Sequence, residues 1–165
     1  MERRKTRWSL IALPVLFAAC QSAPPPPPDR AFAGLPITGN RAFAERLGFS
    51  PCFDTSNALR CRKDAVSLFG AGPYRGAVDL ARRGASGFSQ VTLWHDTDQS
   101  ALFSVGKVLE ARGWQRCRTG QENRGDQEIW TRRGAPVRFS MDLSYWGKRR
   151  LRILPEDGQR TGKCW

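Results

Sequence analysis

The sequence lacks most of the residue patterns from which catalytic and metal sites are built. It contains one histidine, His95, in 165 residues, so chemistry that depends on imidazole is limited to one position. No cysteines have the C-x-x-C spacing of zinc sites and redox dithiols. The Gly-x-Ser-x-Gly turn of serine hydrolases and the complete glycine-rich fingerprints of nucleotide-binding loops are also missing. We therefore predict a protein that is not an enzyme and holds no metal or cofactor.

Long apolar runs are scarce as well. The one continuous run covers residues 8–19, whereas a membrane-spanning helix needs about 20 apolar residues. The run follows a basic stretch at residues 1–7, an arrangement typical of a secretory signal peptide. It ends in Ala18, Ala19 and Cys20. Over residues 1–21 the chain resembles a bacterial lipoprotein precursor, whose signal ends in small residues before a cysteine.

The resemblance implies a location and an anchor. In this class the chain is cleaved before the cysteine, here Cys20, which then carries the lipid that holds the protein to a membrane. Gln21 follows it, where an Asp favours the inner membrane in enterobacterial lipoproteins, so an outer-membrane position facing the periplasm is implied. Five consecutive prolines at residues 24–28 favour an extended spacer. We divide the chain into a signal peptide (1–19), a lipidated tether (20–36) and one domain (37–165).

The remaining four cysteines predict two disulfides, because an exported chain folds in an oxidising compartment. Three pairings are possible for Cys52, Cys61, Cys117 and Cys164. We expect Cys52 to pair with Cys61, closing a short loop, and Cys117 to pair with Cys164, holding the polar C-terminal tail against the domain.

The hydrophobic pattern predicts an α+β domain with a small antiparallel sheet and one main helix. The clearest alternation runs from Val137 to Leu143, with apolar residues at every second position. Helical spacing begins at Ala101, after possible capping residues at 97–100, and ends before Gly113. The C-terminal half thus has the order β-α-β-β-β-β. The predicted elements are a short helix at 40–47, a loop at 49–63, and strands at 65–69, 74–80, 88–94, 114–119, 127–132, 137–143 and 149–154.

His95 lies beside Asp96 and Asp98, where a strand gives way to the main helix. One interpretation is a small envelope enzyme that uses this histidine with either carboxylate. The other is that a carboxylate caps the helix, since adjacent residues of a strand point to opposite faces. We favour the capping interpretation.

Basic residues are the stronger functional feature. Lys and Arg number 27 against 15 Asp and Glu, and the formal net charge is +12. Arg138, Arg150 and Arg152 fall on the solvent side of one predicted hairpin, and Arg116, Arg118 and Arg132 join them if their strands are neighbours. Guanidinium groups suit phosphate and carboxylate, and nearby aromatic rings suit sugars. The implied compartment favours lipid A, peptidoglycan or an envelope protein as partner rather than nucleic acid.

Overall fold

The computed structural model describes residues 28–81, 88–120, 126–143, 149–156 and 164 of the 165-residue chain. The predicted signal peptide and the predicted lipidation site at Cys20 lie outside these residues. Within the described part, no helix is long and apolar enough to cross a membrane. The elements there, in chain order, are β1 (Arg30–Phe32), β2 (Leu35–Thr38), α1 (Arg41–Arg46), β3 (Cys52–Asp54), β4 (Ala58–Leu68), β5 (Ala71–Ala81), β6 (Phe88–Trp94), α2 (Phe103–Ala111), β7 (Gln115–Arg118), β8 (Gln127–Thr131), β9 (Val137–Asp142) and β10 (Leu151–Pro155).

Eight strands form one antiparallel sheet in the order β3-β4-β5-β6-β10-β9-β8-β7. The last strand, β10, therefore lies inside the sheet between β6 and β9. Helix α2 carries the chain from β6 to the edge strand β7, from which a meander returns through β8 and β9. This architecture confirms the predicted α+β class and the β-α-β-β-β-β order of the C-terminal half.

The sheet has an inner face, which carries the helices and the hydrophobic core, and an outer face, which carries mostly polar side chains. Along β9 the apolar residues Val137, Phe139 and Met141 are buried on the inner face. Helix α2 covers this face with Val105 and the other buried residues of its apolar stripe. It packs so closely that a Cβ on Gly106 would lie 2.9 Å from the indole of a buried tryptophan on β8. Because successive side chains of a strand point to opposite faces, the residues between these buried positions point to the outer face.

An N-terminal hairpin, β1–β2, adds to the core on the inner face. Leu35 and Ile37 are buried, and the Phe32 ring makes edge contacts with Phe69 and Phe139 at 5.9 and 6.1 Å between centroids. The folded domain therefore begins within the segment that we assigned to the tether. The two strands of this hairpin, of three and four residues, are too short to show a recognisable alternation in the sequence after a proline run.

Residues 49–63, which we expected to be a loop, instead contain β3 and the first half of β4. Cys52 and Cys61 lie directly opposite each other in the antiparallel pair and form a disulfide. The second disulfide joins Cys117 on β7 to Cys164, which ties the C-terminal end of the chain to the edge of the sheet. Both predicted pairings are therefore confirmed. The loop prediction is wrong because the polar residues that suggested it alternate along a strand with a polar outer face.

The two predicted helices are confirmed with small shifts. Asn40 caps α1, with its Oδ1 accepting a hydrogen bond from the backbone N–H of Phe43. Helix α2 begins at Phe103, two residues later than expected, because the chain first makes a turn over residues 99–102. In that turn Asp98 accepts hydrogen bonds from the backbone N–H and the hydroxyl of Ser100, at 2.8 and 2.6 Å.

Candidate functional site

A basic groove crosses the outer face of the sheet and draws its residues from four adjacent strands and from Arg150, just before β10. We call it the arginine groove. Its volume is about 260 Å³. The flanking residues on each strand explain why these side chains face outward: Arg60 and Arg62 surround the buried Cys61, and Arg152 lies between buried Leu151 and Ile153. The residues that line it are Arg60, Arg62, Ala77, Gln90, Thr92, Trp94, Arg150 and Arg152.

The strand register places the middle of the groove in a single row. Arg62 of β4 lies opposite Ala77 of β5, Ala77 opposite Thr92 of β6, and Thr92 opposite Arg152 of β10. The two arginines thus stand three strand spacings apart, about 14 Å at the backbone. Between them lie one methyl group and one hydroxyl-bearing side chain. This leaves a shallow floor between two long cationic side chains.

Arg60 is the one groove arginine held by a described carboxylate. Its Nε and a terminal guanidinium nitrogen donate to the two oxygens of Asp79, at 2.6 and 2.8 Å. These hydrogen bonds raise the pKa of Arg60 above its ordinary value, against the opposing effect of partial burial. Gln90 donates to the same carboxylate at 3.1 Å. Asp79 therefore fixes Arg60 and offsets its charge at one end of the groove.

The other three arginines form no ion pair with a carboxylate in the described part of the chain. The Arg62 guanidinium lies 4.8 Å from the centre of the Phe53 ring, a cation–π contact that positions it and leaves its donors unused. Arg152 donates to the side-chain oxygen of Gln127 at 3.4 Å, and the Arg150 side chain is exposed. Three of the four positive charges thus remain available to a ligand.

Thr92 on the groove floor has an unpaired hydroxyl. The residue is 7% exposed, and among the described residues its Oγ1 finds no hydrogen-bond partner. A buried polar group without a partner costs about 1–3 kcal/mol. Thr92 lines the groove between cationic side chains, and a ligand oxygen would supply the missing partner once the side chains that cover Oγ1 move aside. This orphan group is a feature of the groove floor that does not depend on the charges.

Trp94 supplies an aromatic wall at one end of the arginine groove. Its indole Nε1 donates to Asp96 at 3.1 Å, and the other oxygen of Asp96 accepts from Arg75 at 2.8 Å. The half-buried ring is therefore held in place before any ligand arrives. A fixed aromatic ring gives contact area at a small entropic cost.

The structure brings together only part of the predicted arginine set. Arg150 and Arg152 lie in the groove, and Arg138 lies on the same face one strand further along, opposite Leu154. Arg60 and Arg62 were missed, because we had assigned residues 49–63 to a loop. The signal that would have found them is the pattern Arg-Cys-Arg, two cations around a buried position.

Arg116 and Arg118 face the opposite way. Arg118 lies opposite Glu128 on β7–β8, and both arginines approach this buried glutamate from the inner face, at 3.5 and 3.3 Å. Arg132 follows the end of β8, with its guanidinium 5.0 Å from the centre of the Trp114 ring. The three arginines therefore do not extend the groove, since strand parity turns two of them inward and the third lies beyond its strand.

His95 and its neighbouring carboxylates turn to separate partners. The imidazole Nδ1 accepts from the backbone N–H of Asp98 at 2.9 Å. The hydroxyl and the backbone N–H of Ser100 hydrogen-bond the Asp98 carboxylate, which lowers its pKa below the ordinary value. Asp96 accepts from Trp94 and Arg75. The local hydrogen bonds thus stabilise the turn before α2. The prediction that a carboxylate caps this helix is wrong, because α2 begins after Leu102 and receives no side-chain capping hydrogen bond. Within the described residues no cluster of three or more His, Cys, Asp or Glu is placed to hold a metal ion.

Comparison of the chain with models of protein families, with curated proteins and with solved structures finds no match. The chemistry of the arginine groove itself is specific enough to interpret. It combines guanidinium donors, one hydroxyl and one aromatic ring around a small floor. Such a set of groups is chemically able to bind and orient an anion.

Proposed function

We propose that this protein is a lipid-anchored, periplasm-facing component of a bacterial outer membrane that binds an anionic envelope component through the arginine groove. The observation that carries the proposal is the convergence of four arginines, two on β4, one on β10 and Arg150 just before β10, with one described carboxylate, Asp79, beside them. The local charge of about +3 attracts anions and raises their concentration near the groove.

The proposed location is supported by two independent features. The sequence up to Cys20 resembles a lipoprotein signal, and the folded domain contains two disulfides, which form and persist in oxidising compartments. In the periplasm the abundant anions are phosphate groups of lipids and carboxylates of peptidoglycan. The proposal is therefore a binding module for one of these.

A charge-reversal experiment tests the binding proposal. Arg62 and Arg150 are the best positions, because both are exposed and neither forms a described ion pair. The double variant Arg62→Glu/Arg150→Glu should bind isolated peptidoglycan or lipid A vesicles about tenfold more weakly, since two lost contacts of about 0.7 kcal/mol each amount to that factor. The wild-type affinity should also fall as salt is added.

The matched control changes the same amount of charge elsewhere. Lys107 and Arg133 are exposed, on α2 and on the β8–β9 connection, and neither lines the groove. The variant Lys107→Glu/Arg133→Glu should retain wild-type binding to within about twofold, the size of a long-range effect that salt screens. Equal losses in both double variants, or salt-insensitive binding in the wild type, would refute a role for the groove.

The anchor is tested separately by Cys20→Ala in cells. The wild-type chain should fractionate with the outer membrane. The variant cannot be lipidated and cleaved at this position, so it should leave the outer membrane and stay with the inner membrane through its apolar signal segment. Metabolic labelling with palmitate should mark only the wild type. A variant that still fractionates with the outer membrane, or a wild type without the label, would contradict the proposed anchor. Crosslinking in intact cells then identifies the partner, and arginine-dependent capture of a protein would indicate an accessory subunit of an envelope complex instead.

A further inference from the structure

We infer that the arginine groove recognises a phosphate monoester carried on a sugar ring. The inference rests on the proposed anion-binding function and narrows it to one chemical class. Three groove arginines, Arg62, Arg150 and Arg152, lack a carboxylate partner in the described part of the chain. A carboxylate is planar, has one negative charge and offers two oxygens. A phosphate monoester carries a charge of about −1.5 to −2 at neutral pH and offers three strongly accepting oxygens.

The geometry of the floor fits a tetrahedral group. The row from Arg62 through Ala77 and Thr92 to Arg152 places cations at both ends of a small central platform. A phosphate seated on this platform accepts from guanidiniums on two sides. A third oxygen accepts from the Thr92 hydroxyl once the side chains that cover it move aside. That contact satisfies a buried donor that otherwise has no described partner. A planar carboxylate paired with one guanidinium fork leaves the opposite arginine and the hydroxyl unused.

The aromatic wall and the size of the groove indicate what carries the phosphate. Trp94 borders the same groove as the phosphate platform, held by its hydrogen bond to Asp96. Its ring offers an apolar surface on which the C–H face of a sugar packs. The volume of about 260 Å³ is below the roughly 300–1,000 Å³ of pockets for drug-sized ligands. One sugar with its phosphate, rather than an extended chain, matches this space.

Calorimetric titration of the full-length protein in detergent micelles tests the inference with three soluble probes. Glucosamine 1-phosphate carries both elements, glucuronate carries a sugar with a carboxylate, and inorganic phosphate lacks the sugar. We expect the sugar phosphate to bind at least about tenfold more tightly than glucuronate, with inorganic phosphate between them. Glucuronate binding as tight as the sugar phosphate, and still weakened by Arg62→Glu/Arg150→Glu, would overturn the phosphate inference and leave the anion groove intact. Failure of the wild type to bind any probe would overturn both.

Two variants separate the phosphate platform from the aromatic wall. Thr92→Val should weaken the binding of glucosamine 1-phosphate and of inorganic phosphate alike, by about five- to tenfold, because both ligands lose the contact with the hydroxyl. Trp94→Leu should lower the affinity for glucosamine 1-phosphate to that for inorganic phosphate. The affinity for inorganic phosphate itself should not change. Thr131→Val, on β8 outside the groove, is the matched control and should change neither. Loss of inorganic phosphate binding in Trp94→Leu, or equal effects of the two threonine variants, would contradict the assignment.

The same chemistry occurs on a lipid headgroup and on a soluble sugar phosphate, and vesicles distinguish these sources. Binding to lipid A vesicles that is displaced by glucosamine 1-phosphate would identify the headgroup. Binding of the soluble ester without vesicle binding would identify a soluble ligand. Both results support the inferred chemistry. Vesicle binding that the soluble ester does not displace, and that Thr92→Val does not weaken, would overturn it.

Discussion

Thr92→Val offers an unusual prediction, because it should make the protein more stable and a poorer binder. The substitution replaces the hydroxyl by a methyl group of nearly the same shape. Both residues are β-branched and both favour strands, so β6 keeps its backbone preference. The main change is the removal of a buried hydroxyl that has no partner among the described residues.

The magnitude follows from the cost of that orphan group. Leaving a buried polar group unpaired costs about 1–3 kcal/mol, and the residue is 7% exposed, so most of this cost applies. We therefore expect the free energy of unfolding to rise by about 1–2 kcal/mol. For a domain of this size that gain corresponds to a melting temperature higher by roughly 3–8 °C.

Urea unfolding of the two proteins, compared at equal slope, measures the change directly. The control Thr131→Val lies on β8 at a half-exposed position and should stay within about 0.5 kcal/mol of the wild type. A loss of more than about 1 kcal/mol in Thr92→Val would mean that the hydroxyl is hydrogen-bonded in the folded protein. The Thr92 hydroxyl would then have a partner within the protein, and it would no longer support the presence of a ligand on the groove floor.

Three further substitutions probe the surrounding structure. Gly106→Ala should destabilise the domain by about 1–3 kcal/mol in urea unfolding, although alanine favours helices, because its Cβ would lie 2.9 Å from the Trp130 ring; unchanged stability would contradict the close packing of α2. Replacing Cys117 and Cys164 together by serine should cost about 4 kcal/mol, since that bridge closes a 47-residue separation, and a smaller cost than loss of the nine-residue bridge would oppose this reasoning. Asp79→Asn should lower the unfolding free energy by about 1–2 kcal/mol yet tighten phosphate binding, because it frees the Arg60 guanidinium. Weaker binding would mean that Asp79 is needed to position Arg60 for the ligand.

Local patterns in the sequence predict much of the sheet. Along β9 the alternation of Val137, Phe139 and Met141 with polar neighbours specifies both the strand and its buried face. The number of disulfides followed from the even cysteine count and the implied compartment. The pairing followed from what each bridge would hold, a short loop and the polar C-terminal tail. The first half of β4 was missed because its outer face carries Arg60 and Arg62. A strand that alternates charged residues with a few small apolar ones resembles a polar loop in the sequence.

The arginine groove could not be assembled from local patterns, because it depends on strand order. Arg62 of β4 and Arg152 of β10 are 90 positions apart in the chain, and they share a groove only because β10 inserts beside β6. The insertion of β10 between β6 and β9 depends on contacts between residues far apart in the chain, and it buries Leu151 and Ile153. Alternation along the strands also places Arg152 on the outer face and Arg116 on the inner face. The pattern of a single strand does not show which of its two faces is the outer one.

The most direct measurement is a nuclear magnetic resonance titration of the isotope-labelled full-length protein in micelles with glucosamine 1-phosphate at low salt. If the arginine groove binds the ester, the backbone amide shifts will concentrate on one row of the sheet: Arg62, Ala77, Thr92 and Arg152. The side-chain signal of Trp94 will shift with them. Shifts spread evenly over the basic residues of both faces, or centred on Arg116 on the inner face, would contradict the groove as the binding site.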